Sequence, residues 1–192
     1  MRLEDIIRGT GAVIVYGNAS TEISSICSDS RKAAEGALFI AVKGCKLAGR
    51  QFAEQAVAAG ATAVVSAERR GLALIADAFY RHPSGKLNLV GITGTNGKTT
   101  TVTLLYNMFR NLGYECGMLS TIANYVGTRR LETANTTADP ITINSLMSEM
   151  VDAGCEFCFM EVSSIGVEQD RVTGLEFRVG IFSNLTHDHL DY

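Results

Sequence analysis

A glycine-rich turn that ends in a lysine, set between an apolar run and a helix-forming run, constrains this chain more than any other feature. The segment reads Gly91-Ile92-Thr93-Gly94-Thr95-Asn96-Gly97-Lys98-Thr99-Thr100-Thr101. Before it, Leu87 to Ile92 has the length and composition of a buried strand. After it, from about Lys98 to Leu112, the pattern is helical. A strand that passes straight into a helix must turn sharply, and glycine supplies the freedom to do so. The helix then opens with N–H groups that have no partner in the helix and with partial positive charge. Lys98 adds a full cation. Together these suit the phosphate tail of a nucleotide, with Lys98 facing the β- and γ-phosphates and the Thr99 hydroxyl available to Mg²⁺. Gly94, Thr95, Asn96, Gly97 and Thr100 complete the candidate phosphate site. The spacing is compact, Gly94-x-x-Gly97-Lys98-Thr99, with Ile92 where the common phosphate loop has its first glycine.

Composition narrows the remaining choices. The chain has 192 residues and a net charge of −3, and no Lys/Arg-rich run is present to neutralise a nucleic-acid backbone. Hydrophobic residues make up 46% and charged residues 19%, the balance of a globular protein of one or two domains rather than a disordered one. No apolar run reaches membrane-spanning length, and Met1 to Arg8 is not a signal peptide; a cytoplasmic location is expected. Five scattered cysteines (Cys27, Cys45, Cys116, Cys155, Cys158) read as reduced thiols rather than a disulfide framework.

Strand-like and helix-like runs alternate along the chain. Leu38–Val42 and Thr62–Val65 read as strands, Phe52–Ala59 and Leu72–Tyr80 as helices. The polar stretch Arg81-His82-Pro83-Ser84-Gly85-Lys86 marks a boundary, which gives domains 1–86 and 87–192. Beyond it, Cys116–Leu119, Glu156–Val162 and Phe177–Phe182 read as strands and 124–133 as a hairpin or loop. Asp139-Pro140 is a helix start, because Asp caps free N–H groups and Pro suits the first helical position. The expected class is α/β: a small first domain, then a mostly parallel sheet with helices on both faces.

Two further segments carry chemistry. Glu161 falls at the C-terminal end of a strand, the edge that lines the ligand crevice in open α/β sheets, where a carboxylate can hold Mg²⁺. His187-Asp188-His189 follows another strand. It has the look of a zinc site, yet a metal-associated or phosphate-contacting role suits a strand-end histidine beside a nucleotide, and a plain surface histidine suits His187 equally. The Cys155-x-x-Cys158 pair is set aside as a metal site because residues at that spacing on a strand point to opposite faces.

Taken in order, Ser28-Asp29-Ser30-Arg31, Leu38-Phe39-Ile40-Ala41-Val42-Lys43-Gly44, the phosphate loop, Asn135-Thr136-Thr137-Ala138-Asp139-Pro140, Met160-Glu161-Val162-Ser163-Ser164, Gln169-Asp170-Arg171-Val172 and Asn184-Leu185-Thr186-His187-Asp188-His189-Leu190-Asp191-Tyr192 resemble the Mur ligase family. The resemblance implies a uridine-nucleotide domain followed by the first part of an ATP-binding domain. It also implies ATP-dependent amide formation through an acyl phosphate in peptidoglycan synthesis. The branch it points to adds a diamino acid, meso-diaminopimelate before L-lysine, to UDP-N-acetylmuramoyl-L-alanyl-D-glutamate.

By the same resemblance, Ser30 and the loop from Gly44 to Arg50 contact the uridine nucleotide. Asn96 lies where the two nucleotide sites join. Asn135, Thr136, Thr137, Ser163, Gln169 and Arg171 hold the muramoyl peptide. Lys98 and Thr99 bind ATP phosphates and Mg²⁺, Glu161 and His189 hold a second Mg²⁺, and the full-length enzyme is a monomer. Ile165 replaces a histidine usual in this branch, and Ala48 replaces an aspartate in the uridine loop. Relative to the family, the chain stops inside the central domain, so the 192 residues are expected to show no ligase activity alone. Two other readings stay open: a folylpolyglutamate-type ligase, against which the Asn135-Thr136-Thr137 and Ser28-Asp29-Ser30-Arg31 segments argue, and a non-catalytic nucleotide-binding chain.

Overall fold

The computed structural model describes residues 1–43 and 48–186, with the side chains of 48–51 also left aside. The chain divides into two compact units, Met1–Arg81 and His82–Tyr192. The Pro83–Lys86 turn, placed by sequence at the end of the first domain, packs within the second unit: the Ser84 hydroxyl accepts from the Glu176 amide at 3.1 Å.

The first unit contains α1 (Leu3–Ile7), β1 (Val13–Tyr16), β2 (Ser25–Cys27), β3 (Ala37–Val42), α2 (Ala48–Ala58), β4 (Ala63–Ala67) and α3 (Arg69–Phe79). Its sheet runs β1-β4-β3-β2, parallel except for β1. Alternation along β3 sorts the two faces. Ala37, Phe39 and Ala41 face a cluster with Ala53 and Ala56 of α2, and these small side chains let the helix approach closely. α3 packs on β3 and β4 and on α1. The sequence reading begins α2 four residues late and misses β1 and β2, since β1 is a short edge strand with Val13, Val15 and Tyr16 exposed.

The second unit contains β5 (Asn88–Thr93), α4 (Lys98–Asn111), β6 (Cys116–Leu119), β7 (Asn124–Val126), β8 (Arg129–Leu131), α5 (Pro140–Asp152), β9 (Phe157–Glu161), α6 (Ser164–Glu168) and β10 (Val179–Phe182). The sheet order is β10-β5-β9-β6-β7-β8; the first four are parallel, and β7 and β8 add an antiparallel hairpin. The parallel strands therefore end along one edge. Val90, Ile92, Cys116, Met118 and Phe159 pack with Val102 and Tyr106 of α4 on one face. Leu89, Leu119, Cys158 and Met160 pack with Ile143, Leu146, Met147 and Met150 of α5 on the other. Helices cover both faces of each sheet, as the alternation of elements predicts. Among the described residues no helix is long and apolar enough to cross a membrane.

Cys27, Cys116, Cys155 and Cys158 are buried free thiols, and Cys45 lies outside the described residues. Burial pushes Cys116 up to about 11, with Cys155 nearby adding to it, and raises Cys27, Cys155 and Cys158 as well. The expected divergence of Cys155 and Cys158 does not hold. Cys155 precedes β9, so strand alternation does not apply to it, and both thiols enter the α5-side cluster.

Candidate functional site

The phosphate-loop segment connects β5 to α4 across the edge where the parallel strands end. Gly94 adopts φ +128°, and Gly97, the residue preceding α4, has φ +86°, so the turn needs both glycines. A Cβ at Gly94 would also meet Ser183 and lie 2.7 Å from the Asn184 carbonyl oxygen. Lys98 folds back over the turn, its ammonium donating to the carbonyls of Gly94 and Thr95 at 2.6 and 2.9 Å.

The segment after β10 straps the outside of this turn. The Thr95 amide donates to the Asn184 carbonyl and the Asn96 amide to the Asn184 side chain, each at 2.9 Å. Asn184 and Ser183 donate in return to the Asn96 carbonyl at 3.1 and 2.8 Å. The amides of Thr95 and Asn96 are therefore engaged by the strap and are not among those open to an anion. The amides of Lys98, Thr99 and Thr100, in the first turn of α4, have no acceptor within the helix. Ser183 is the residue of this strap that the sequence reading passes over, and only the parallel β10–β5 pairing reveals its place.

Glu161 follows from strand parity. Phe157 and Phe159 of β9 face α4, so Glu161, two residues on, shares that face at the strand's end. There it meets the helix opening: the Thr99 hydroxyl donates to its carboxylate at 3.0 Å. Thr121, just past β6, donates its amide at 2.9 Å and its hydroxyl at 3.1 Å. Glu161 is 1% exposed and has no ion pair among the described residues. A buried charge held only by hydroxyls and an amide is poorly compensated, and a hard divalent cation would compensate it. The donors are all oxygens, which fits Mg²⁺. Among the described residues no three His, Cys, Asp or Glu side chains gather as a metal site. His187 and His189, with Asp188 and Asp191, lie outside the described residues.

Next to this network opens a cleft of about 720 Å³. Thr93, Gly94, Thr95 and Lys98 line one side; Asn135, Thr136, Thr137, Ser163, Gln169 and Arg171 line the rest. All six residues assigned by resemblance to the muramoyl-peptide side of this unit therefore meet the phosphate loop. Four of them, Thr137, Ser163, Gln169 and Arg171, are held by hydrogen bonds. The Thr137 hydroxyl donates to the Glu161 carbonyl at 3.1 Å and accepts the Ser163 amide at 2.9 Å. Arg171 donates to the Thr137 carbonyl at 2.6 Å and to Gln169 at 2.7 Å, so its guanidinium is oriented without a carboxylate partner among the described residues. Ile165, the departure noted in the sequence, lies in the cleft wall together with Ser164, Phe182 and Leu185. Thr121, like Ser183, escapes the sequence reading; its only signal is its place after a strand of the parallel set.

In the first unit, Ser28, Asp29, Ser30, Arg31, Phe39, Phe52 and Gln55 line a separate cleft of about 470 Å³. The Ser30 hydroxyl donates weakly to Gln55 at 3.4 Å. Of the Gly44 to Arg50 loop, residues 44–47 lie outside the described residues, as does the Ala48 side chain.

Comparison with known proteins fits this geometry. Residues 92–192, more than half of the chain, match the Mur ligase middle domain, and residues 22–86 match the Mur ligase family catalytic domain. The chain belongs to the Mur ligase family. It is 46% identical over 210 aligned positions to the UDP-N-acetylmuramoyl-L-alanyl-D-glutamate–2,6-diaminopimelate ligase of Cytophaga hutchinsonii, covering all of this chain and 43% of that protein. The ligase of the same name from Geobacillus kaustophilus is 40% identical, with 42% of its length covered. A solved structure of a ligase of this name superposes with a TM-score of 0.80 at 25% identity over 99% of this chain and 41% of that one. The MurF ligase of Thermotoga maritima shares the fold, with a TM-score of 0.57 over 86% of this chain and 38% of its own. The chain thus spans somewhat under half the length of the Mur ligases it matches.

Proposed function

We propose that this chain supplies the nucleotide- and muramoyl-peptide-binding part of a cytoplasmic, monomeric ligase that joins 2,6-diaminopimelate to UDP-N-acetylmuramoyl-L-alanyl-D-glutamate at the expense of ATP. The observation that carries the proposal is the single cleft in which Lys98 and Arg171, two cations without carboxylate partners among the described residues, converge with Asn135, Thr136 and Ser163. Such a cleft suits two anionic substrates brought together.

Position supports the following roles. The first-turn amides of α4 and the Lys98 ammonium cradle the ATP phosphates, and Lys98 offsets charge on the γ-phosphate. Thr99 and Glu161 would hold Mg²⁺, with His189 as a further ligand by family resemblance. When bound, the metal neutralises phosphate charge. Arg171, braced by Gln169, orients the muramoyl peptide with Thr136, Thr137 and Ser163. A glutamyl carboxylate oxygen attacks the γ-phosphorus and the bond to ADP breaks. The amine of the diamino acid then attacks the acyl carbon and phosphate leaves. Ser30 and its cleft in the first unit take the uridine end.

The test is calorimetry on the 192-residue chain. Heat is expected with ATP plus Mg²⁺ and, separately, with UDP-N-acetylmuramoyl-L-alanyl-D-glutamate, and none with a folate. Silence toward either nucleotide overturns the proposal, and folate binding would move the chain to the other ligase class.

A further inference from the structure

We infer that the Thr121 hydroxyl couples the metal site at Glu161 to the hydrogen bonding of Thr136 in the cleft, an inference that rests on the metal and substrate roles proposed above. Thr121 Oγ1 lies 3.1 Å from Glu161 Oε2 and 3.1 Å from Thr136 Oγ1. A threonine hydroxyl has one proton. It can be given to Glu161 or to Thr136, not to both.

The two settings differ in what the cleft sees. Without a cation, the buried carboxylate is the stronger acceptor and takes the proton. Thr121 then accepts from Thr136, and Thr136 shows the cleft only lone pairs. A divalent cation held by Glu161 would compete with that proton. Thr121 turns its donor to Thr136, and Thr136 must turn its own proton outward. The metal-loaded site therefore offers the cleft one more O–H donor, aimed at a carbonyl or carboxylate oxygen of the ligand. Linkage makes the effect reciprocal: a ligand that accepts from Thr136 removes one of the two hydroxyl donors on Glu161 Oε2, leaving that of Thr99, and so favours the metal. The Thr121 amide, 2.9 Å from Oε1, anchors Glu161 in both settings, so the hydroxyl can switch without loss of the carboxylate's position. Thr121 is thus a positioning residue, since it acts through its two neighbours.

The experiment titrates UDP-N-acetylmuramoyl-L-alanyl-D-glutamate into the full chain with Mg²⁺ and again with a chelator. Wild type, Thr121→Ser and Thr121→Val are compared. Mg²⁺ should tighten binding equally in wild type and Thr121→Ser. In Thr121→Val the tightening should shrink by about fivefold, the worth of one neutral hydrogen bond. Thr136→Val cuts the same link from the cleft side and must show the same loss, which keeps the inference testable should Thr121→Val not fold. Equal tightening in wild type and the valine variants overturns the coupling but leaves the proposed function standing. No binding by the wild type overturns the proposed function itself.

Discussion

Each unit places a carboxylate at or just beyond the end of a strand of its sheet, and the two are held in opposite ways. Asp29, after β2, is partly exposed and meets the arginine two residues on: Arg31 gives its amide at 3.0 Å, Nε at 2.9 Å and Nη2 at 2.7 Å. Glu161, at the end of β9, is buried, and its donors come from 62 and 40 residues away. The Asp29 turn neutralises itself and needs nothing but its own segment. Glu161 exists as a site only when β6, β9 and α4 are assembled, and then it holds a charge that its neighbours do not cancel. A charge buried in that way costs stability unless it serves a ligand.

The strongest way to break this contrast is Glu161→Gln. The amide keeps the shape, its oxygen can still accept the Thr121 amide, and its NH₂ can donate to the threonine hydroxyls. Mg²⁺-dependent tightening of ATP should fall by about 3 kcal/mol, on the order of a hundredfold, measured by calorimetry. The metal-free protein should unfold at the same temperature as wild type or higher. A clear drop in that temperature would mean that Glu161 is structural in its own right, and the distinction from Asp29 would fail.

Matched glycine substitutions test how far each unit depends on close approach. Gly94→Ala places a Cβ at φ +128° and 2.7 Å from the Asn184 carbonyl oxygen, so both torsion and packing oppose it. About 2 kcal/mol of stability should be lost by urea unfolding, and the strap over the turn should loosen. Gly71→Ala in α3 brings a Cβ to 2.9 Å from the Thr10 carbonyl oxygen without a positive φ, and about 1.5 kcal/mol is expected. Equal costs would show that torsion at the phosphate loop adds little. Smaller still is Asp139→Ala. Asp139 accepts the amides of Ile141 and Thr142 at 3.0 and 3.1 Å, and its loss should cost about 1 kcal/mol.

These same residues mark what the sequence could reveal. Asp139-Pro140, the phosphate loop and the strands of the second unit are written in local pattern: a cap, a glycine turn, alternation. The packing of α4 and α5 on opposite faces follows from that alternation. β1 and β2 escaped because short strands of four and three residues carry too little pattern to separate from loop. Thr121 and Ser183 escaped for a different reason. Their partners are set by sheet order, which places β6 and β10 on either side of the β5–β9 pair, and no local feature encodes that order. The strap also changed the chemistry of the loop, because amides that look free in sequence are spent on Asn184.

The smallest effect concerns Asp29, and it separates the two carboxylates by pH. The Arg31 side chain and amide hold the Asp29 carboxyl down to about 2, well below the usual aspartate value of about 3.9. A folded-state pKa below the unfolded one means that the folded chain binds fewer protons in that range. The contribution to stability is therefore complete above about pH 4 and is lost as pH falls toward 2. Because Asp29 faces solvent, the contribution is small and screened by salt. Carbon-13 NMR should find the Asp29 side chain titrating near 2 in wild type and back in the ordinary range in Arg31→Ala. Raising the salt should narrow that gap. An Asp29 that titrates near the ordinary value in wild type would show that the turn is not self-neutralised, and the two units would then hold their carboxylates less differently than the hydrogen bonds describe.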